Sequence, residues 1–139
     1  MALQMNVTSR NARLDTIEST NGASCHLRIF TGAQPADCSS ANTGTVLASF
    51  NLPADWAAAA ASGSKAKSGT WQDSSADATG TAAHFRVYNS QATFDGTTCF
   101  LQGSVTLTAG GGDMEVNNTS FATGQNFTIS TFTLTDANA

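Results

Sequence analysis

The stretch Ala83-His84-Phe85-Arg86-Val87-Tyr88 alternates apolar with polar side chains, placing Ala83, Phe85 and Val87 on one face and His84, Arg86 and Tyr88 on the other. A period of two is that of a β-strand, whose successive side chains point to opposite faces. The same alternation recurs upstream in Cys25-His-Leu-Arg-Ile-Phe30, with Cys25, Leu27 and Ile29 set against His26 and Arg28, a half-buried strand. Thr45 to Leu52 repeats it with Val46, Ala48, Phe50 and Leu52 inward, and Pro53 ends it by offering no ladder donor. Gly32, Pro35, Asp37, Ser39, Ser40, Asn42 and Gly44 make the intervening segment a loop.

Downstream, Asp95-Gly96 reads as a hairpin-type turn before a strand over Thr98–Thr108, in which Gly103 marks a bulge or a close backbone approach. Gly110-Gly111-Gly112-Asp113 turns the chain, Met114–Asn117 is a short strand, and Asn126–Thr135 closes the fold. In that last strand Phe127 and Ile129 face one way and Phe132 and Leu134 the other, which requires burial on both faces or a bulge near Ser130-Thr131. Ala57–Ala61 has the composition of a helical turn or two, although small residues also permit close packing under Trp56. Ser62–Ser68, with Lys65 and Lys67, reads as a mobile loop with solvated lysines.

At the N-terminus Leu3, Met5 and Val7 alternate with Gln4 and Asn6, giving an extended arm over residues 1–7. Thr8 or Ser9 caps a helix over residues 8–20, with Leu14 and Ile17 on one face. About eight short strands separated by Gly, Ser and Asn turns predict an all-β fold: an antiparallel β-sandwich, jelly-roll-like, with the 139 residues in a single domain.

Only 12% of the residues are charged, six basic and ten acidic, against about 25% in an average soluble domain. The surface must therefore be wetted mainly by hydroxyl, amide and backbone groups, as in secreted, cell-surface and virion β-proteins. A net charge of −4 with scattered Arg and Lys argues against nucleic acid as a partner, since phosphate binding needs clustered cations. No apolar run reaches the roughly 20 residues of a membrane span. The first residues lack the basic and apolar regions of a secretory signal, so the expectation is a protein made in the host cytoplasm that reaches the outside by another route, as a virion part does on lysis. Cys25, Cys38 and Cys99 show neither a disulfide framework nor zinc-ligand spacing. Cys25 and Cys99 fit buried strands, and Cys38, in a loop, is the better candidate for a reactive thiol.

No catalytic constellation emerges. His26 and His84 lack a local third ligand for a metal and an adjacent nucleophile for base catalysis, so core or surface packing accounts for them better. Asp55, Asp73, Asp77, Asp95, Asp113 and Glu115 could contain a glycosidase-like pair, but most sit where Asp serves turn chemistry. Asp113-Met-Glu115 lacks the calcium-loop pattern, and Gly110–Gly112 lacks the Lys-Ser/Thr of a phosphate loop. The reading is of a non-enzyme with no metal and no cofactor. Trp56, Trp71, Tyr88 and Phe100 are candidates for a stacking platform or a contact hot spot. Trp56, in a loop-like segment after Pro53 and Asp55, is taken as the contact residue, together with Leu3, Met5 and Val7 of the arm.

The segments Ser9–Asp15, Leu27–Gly32, Pro35–Cys38, Thr43–Thr45, Lys65–Trp71 and Gly80–Tyr88 together resemble small virion proteins of tailed bacteriophages. Among these, the chain is most similar to the capsid cement, or decoration, proteins of short-tailed Bordetella-type phages. The resemblance spans nearly the whole chain and implies a jelly-roll-like structural protein on the capsid outer surface. It would pair with itself as a homodimer and reinforce junctions between major capsid protein subunits. The alternatives are a tail-fibre or tail-associated module that binds host carbohydrate through exposed aromatics, and, third, a small hydrolase.

Overall fold

The computed structural model describes residues 3–137; Met1 and Ala2, at the start of the expected arm, and the last two residues lie outside the described residues. In chain order the elements are helix α1 (Val7–Asn21) and strands β1 (His26–Phe30), β2 (Val46–Asn51), β3 (Ser64–Ala66), β4 (Gln72–Asp73), β5 (Gly80–Thr81), β6 (His84–Tyr88), β7 (Cys99–Leu107), β8 (Met114–Val116), β9 (Ser120–Phe121), β10 (Phe127–Thr128) and β11 (Thr131–Thr135). The fold is mostly β with one short helix, as the alternation predicts.

The cap of α1 is Asn6, not Thr8 or Ser9. Asn6 is extended, and its side-chain oxygen accepts the Ser9 amide at 2.8 Å, satisfying one of the free donors of the first turn. Val7 is therefore the first helical residue rather than part of an extended arm. Gly22, at φ +75°, ends the helix and donates its amide to the Glu18 carbonyl.

Seven strands form one sheet in the order β2-β1-β6-β7-β8-β11-β3, and the pairs β10-β4 and β5-β9 stand apart from it. Across β2, β1 and β6 the register aligns Phe50 with Leu27 and Val87, and Ala48 with Ile29 and Phe85. These six side chains are all buried, in one cluster with Trp56, Trp71, Ile129 and Phe132. The expected face switch in the closing segment is resolved by a break: β10 pairs with β4, whereas β11 pairs with β8 and β3. Changing partners at Ile129-Ser130 lets Phe127, Ile129 and Phe132 all reach the core.

The sheet is not purely antiparallel, because β7 and β8 run parallel, with Val105 beside Met114 and Leu107 beside Val116. Parallel neighbours ordinarily need a crossover of about a dozen residues or more, but residues 108–113 suffice here because the chain doubles back against the strand it has left. The Gly112 amide donates to Thr106 Oγ1 at 3.0 Å, and Asp113 Oδ2 accepts both the amide and the hydroxyl of Ser104 at 2.8 Å. A Cβ on Gly112 would lie 2.7 Å from the Thr106 side chain, and one on Gly103 would lie 2.8 Å from both Asp113 and Phe85. The close approach foreseen at Gly103 is thus real, and it is the glycines that permit so tight a return.

Two expectations for residues 57–68 are corrected. Ala57–Ala61 forms no helical turn but lies extended beside β3, bridging Ala57 to Lys67 and Ala61 to Ser64. Its amides are taken by partners outside the run: Ala58 N donates to the Ala66 carbonyl and Ala60 N to Asp15 Oδ1, so tertiary bonding overrides alanine's helix preference. Lys65 is no solvated loop lysine, being only 2% exposed. At the opposite edge of the sheet, Asp73 Oδ2 accepts the Ser49 amide and the Asp77 amide donates to the Leu47 carbonyl. Backbone groups on both outer strands are thereby already in use, which blunts edges that could otherwise recruit another chain.

Candidate functional site

The second face of β1 and β6 carries His26, Arg28, Phe30, His84, Arg86 and Tyr88. The register sets His26 opposite Tyr88, Arg28 opposite Arg86 and Phe30 opposite His84. Sequence alternation alone leaves this face to solvent; in the structure the loop over residues 31–44 covers it, and every residue from His84 to Tyr88 is buried. The loop is poor in apolar residues, and Arg86 holds it by other means.

The Arg86 guanidinium has five N–H donors, and five acceptors meet them. Nη1 donates to the Ser40 carbonyl at 3.0 Å and to Asn42 Oδ1 at 2.6 Å. Nη2 donates to the carbonyls of Cys38 at 2.6 Å and Asp37 at 3.4 Å, and Nε donates to Cys99 Sγ at 3.2 Å. Asp37 shapes the loop for this: its carboxylate accepts the Ser39 hydroxyl and both the amide and hydroxyl of Ser40, bonds that hold its carboxyl below the usual range. Tyr88 adds its hydroxyl to Asn42 Oδ1 at 2.8 Å, and burial pushes its phenol up to about 12, so it remains a donor.

Beside this clamp His26 bridges Asn51 Oδ1 at 2.7 Å and Ser49 Oγ at 2.8 Å. Asn51 Oδ1 can only accept, which puts a hydrogen on His26 Nδ1; with burial keeping the ring neutral, Nε2 accepts the Ser49 hydroxyl, whose oxygen also takes Arg28 Nε at 3.2 Å. Phe94 roofs the group, with the Arg28 guanidinium 3.9 Å from its ring centre and the His26 ring 4.3 Å away. His84 donates from Nδ1 to the Gly32 carbonyl at 3.0 Å and stacks on Phe30. Burial lowers both histidines below their ordinary value, so both are neutral bases held in the interior. The layer organises a loop; its hydroxyl–imidazole contact, Ser49 Oγ with His26 Nε2, is shared with Arg28 Nε on the same serine oxygen.

The residues expected to make contacts do not come together. Trp56 is fully buried: its ring packs 6.4 Å from Trp71 and 5.9 Å from Phe100, and its Nε1 donates to the Gly22 carbonyl at 3.3 Å. It is a core residue that seats the end of α1 on the sheet, and its assignment to a contact surface is withdrawn. Trp71 and Tyr88 are buried as well. Leu3 and Val7, by contrast, are 88% and 48% exposed. Met5 is half-buried, its sulfur 3.0 Å from Arg13 Nη1.

Arg13 also lines an open groove of about 440 Å³ with Leu14, Thr16, Ile17, Thr135 and Asp136. An exposed apolar segment thus adjoins a shallow, partly apolar furrow between α1 and β11. Among the described residues, no three His, Cys, Asp or Glu side chains gather as a metal site, and no helix is long and apolar enough to cross a membrane.

What sequence reading missed is the joining of Arg86 to the 31–44 loop and the meeting of Cys38 with Cys99 beneath it. The one local signal was Asp37-Cys-Ser-Ser40, a carboxylate followed by hydroxyls that can fold a turn around it. Comparison of the chain with protein-family models, with curated proteins and with solved structures finds no match to it.

Proposed function

We propose that this chain is a structural virion protein of the capsid cement type, a jelly-roll-like sandwich in one domain that binds the outside of a bacteriophage shell. As a homodimer, it would tie together neighbouring major capsid protein subunits. The observation that carries this reading is the exposed apolar Leu3 and Val7 beside the furrow of α1, on a chain whose surface is otherwise poor in charge. A subunit that binds assembled shell in preference to free subunits stabilises the shell by mass action against the pressure of packed genome. With backbone groups of the outer sheet strands in use, attachment runs through the N-terminal segment and the furrow rather than through edge-strand pairing.

The experiment is copy number in the purified particle, joined to truncation. Hundreds of copies per particle support cement, and a handful indicates a tail component. Removing residues 1–5 spares the Asn6 cap, so the domain should keep its thermal midpoint while losing shell occupancy; unchanged occupancy would overturn the role of this segment. Attachment should weaken only modestly between low and moderate salt, because few charges are available to be screened. Of the four aromatics that a carbohydrate platform would use, Trp56, Trp71 and Tyr88 are interior and Phe100 is half-buried against Trp56, so the exposed N-terminal segment supports the cement reading better.

A further inference from the structure

Cys38 and Cys99 are roughly 60 residues apart in the chain, yet both lie on the Arg86 guanidinium. The Cys38 carbonyl accepts Nη2 at 2.6 Å and the Cys99 sulfur accepts Nε at 3.2 Å. Their thiols lie close enough to perturb each other, and both residues are partly exposed, whereas Cys25 is sealed in the core. We propose that Cys38 and Cys99 are a redox-responsive pair that closes into an intrachain disulfide, tying the 31–44 loop to β7, when the protein meets a low-molecular-weight disulfide outside the reducing cytosol. The proposal stands independently of the cement reading, since it rests on the loop clamp alone.

The exchange is balanced in two steps. Cys99, whose sulfur already accepts a cationic N–H, gives up its proton and attacks one sulfur of the small disulfide. That S–S bond breaks and the first small thiolate leaves with the electron pair and takes up a proton. Cys38 then gives up its proton and attacks the Cys99 sulfur of the mixed disulfide, expelling the second small thiolate, which is protonated in turn. Two protein thiols and one small disulfide become one protein disulfide and two small thiols, with two electrons passed to the oxidant. Burial and the adjacent Cys99 push the Cys38 thiol up to about 11, which disfavours it as the first attacker and leaves the opening step to Cys99 beside the Arg86 cation. Burial likewise raises Cys25 to about 11, and its full enclosure keeps it out of the reaction.

The test incubates the full chain with oxidised glutathione, alkylates it under denaturing conditions and maps the peptides by mass. Free thiols should fall from three to one, with Cys25 alkylated and a Cys38–Cys99 cross-linked peptide in a monomer that carries no glutathione. The oxidised form should melt about 5–10 °C higher, because closing so long a loop restricts the unfolded chain. In C38S the first step has no resolving partner, so a stable glutathione adduct should collect on Cys99. Three unchanged thiols, a persistent adduct on the unaltered chain, or a bridge that includes Cys25 or a second chain would each overturn the proposal.

Discussion

Lys65 and Arg86 are both cations closed off from water, at 2% and 0% exposure, but they are satisfied in opposite ways. Lys65 Nζ meets two opposite charges, Asp15 at 2.8 Å and Glu18 at 2.9 Å, and the Ala58 carbonyl at 2.9 Å takes its third proton. Burial pulls its ammonium down, but the bonds and charges of Asp15 and Glu18 outweigh that and leave it above its ordinary value. Arg86 bonds to no carboxylate; three loop carbonyls, one carboxamide and one sulfur receive its five protons. One site binds a helix to a hairpin through charge. The other folds a loop around a charge with dipoles alone, which demands that the loop backbone hold one shape.

The difference also explains how each covering element can be so poor in apolar residues. On α1 only Leu14 is buried among the described residues, and the helix is seated by carboxylates and amides that reach backbone donors: Glu18 to Ala57 N, Asp15 to Ala60 N and Asn11 to Gly63 N. The 31–44 loop is seated by the reverse polarity, with backbone acceptors reaching one side-chain donor. Buried polar groups of either kind persist when their partners are complete.

Removing Arg86 should be the most damaging single change. R86M leaves several carbonyls of the loop without donors and should lower stability by about 3–5 kcal/mol in urea unfolding. R86K keeps the charge but has three donors in place of a five-donor fork, and should recover only part of the loss. A loss below 1 kcal/mol for R86M would mean that the loop is held by something other than this clamp.

K65M should cost less, about 1–2 kcal/mol, because Asp15 and Glu18 are 46% and 20% exposed and can turn to water. The double change D15N/E18Q should cost more than K65M, since it leaves the ammonium enclosed without counter-charge. If the ranking is inverted, the pairing is not what seats α1. N6A removes only the helix cap and should cost about 1 kcal/mol, seen as a small drop in thermal midpoint with the core spectrum unchanged.

The slightest effect near neutrality is a pH dependence that separates the buried histidines from the carboxylates, Asp37 of the Arg86 loop being held low as Asp15 is. His26 and His84 are held below their ordinary 6.5, so as pH falls beneath 6.5 the unfolded chain takes protons first and stability declines. Asp15 is held below 3.8 by the Lys65 bond first and the Ala60 amide second, so its contribution is complete above about 3.8 and is lost as pH drops through its folded value. Unfolding free energy measured from pH 7 to pH 3 should therefore fall in two stages. H84Q should lessen the upper stage alone and leave the part due to His26, and a single stage would show that histidines and carboxylates do not titrate separately.

Much of the strand pattern was legible because alternation is a local property: Leu27, Ile29, Phe85 and Val87 announce their face without reference to anything else. The face switch between Ile129 and Phe132 was legible as a conflict, and the structure resolves it by changing partners. Less could be read where polar residues were concerned. His84, Arg86 and Tyr88 look solvent-facing in sequence, and what buries them is a loop with no hydrophobic signature. Lys65 reads as a surface charge because its partners lie some fifty residues upstream. Trp56 follows Pro53 in loop-like surroundings, and nothing local says that Trp71 and Phe100 will enclose it.

Period-two hydrophobicity, the glycines of the β7–β8 return and the scarcity of charge dictate a β-rich fold with a hydroxyl- and amide-covered exterior, since each depends on neighbours along the chain or on composition alone. Which polar groups are enclosed, which edges are closed and which cysteines meet is set by contacts between distant segments. Burying a charge is tolerable only once its complete set of partners has been assembled in space.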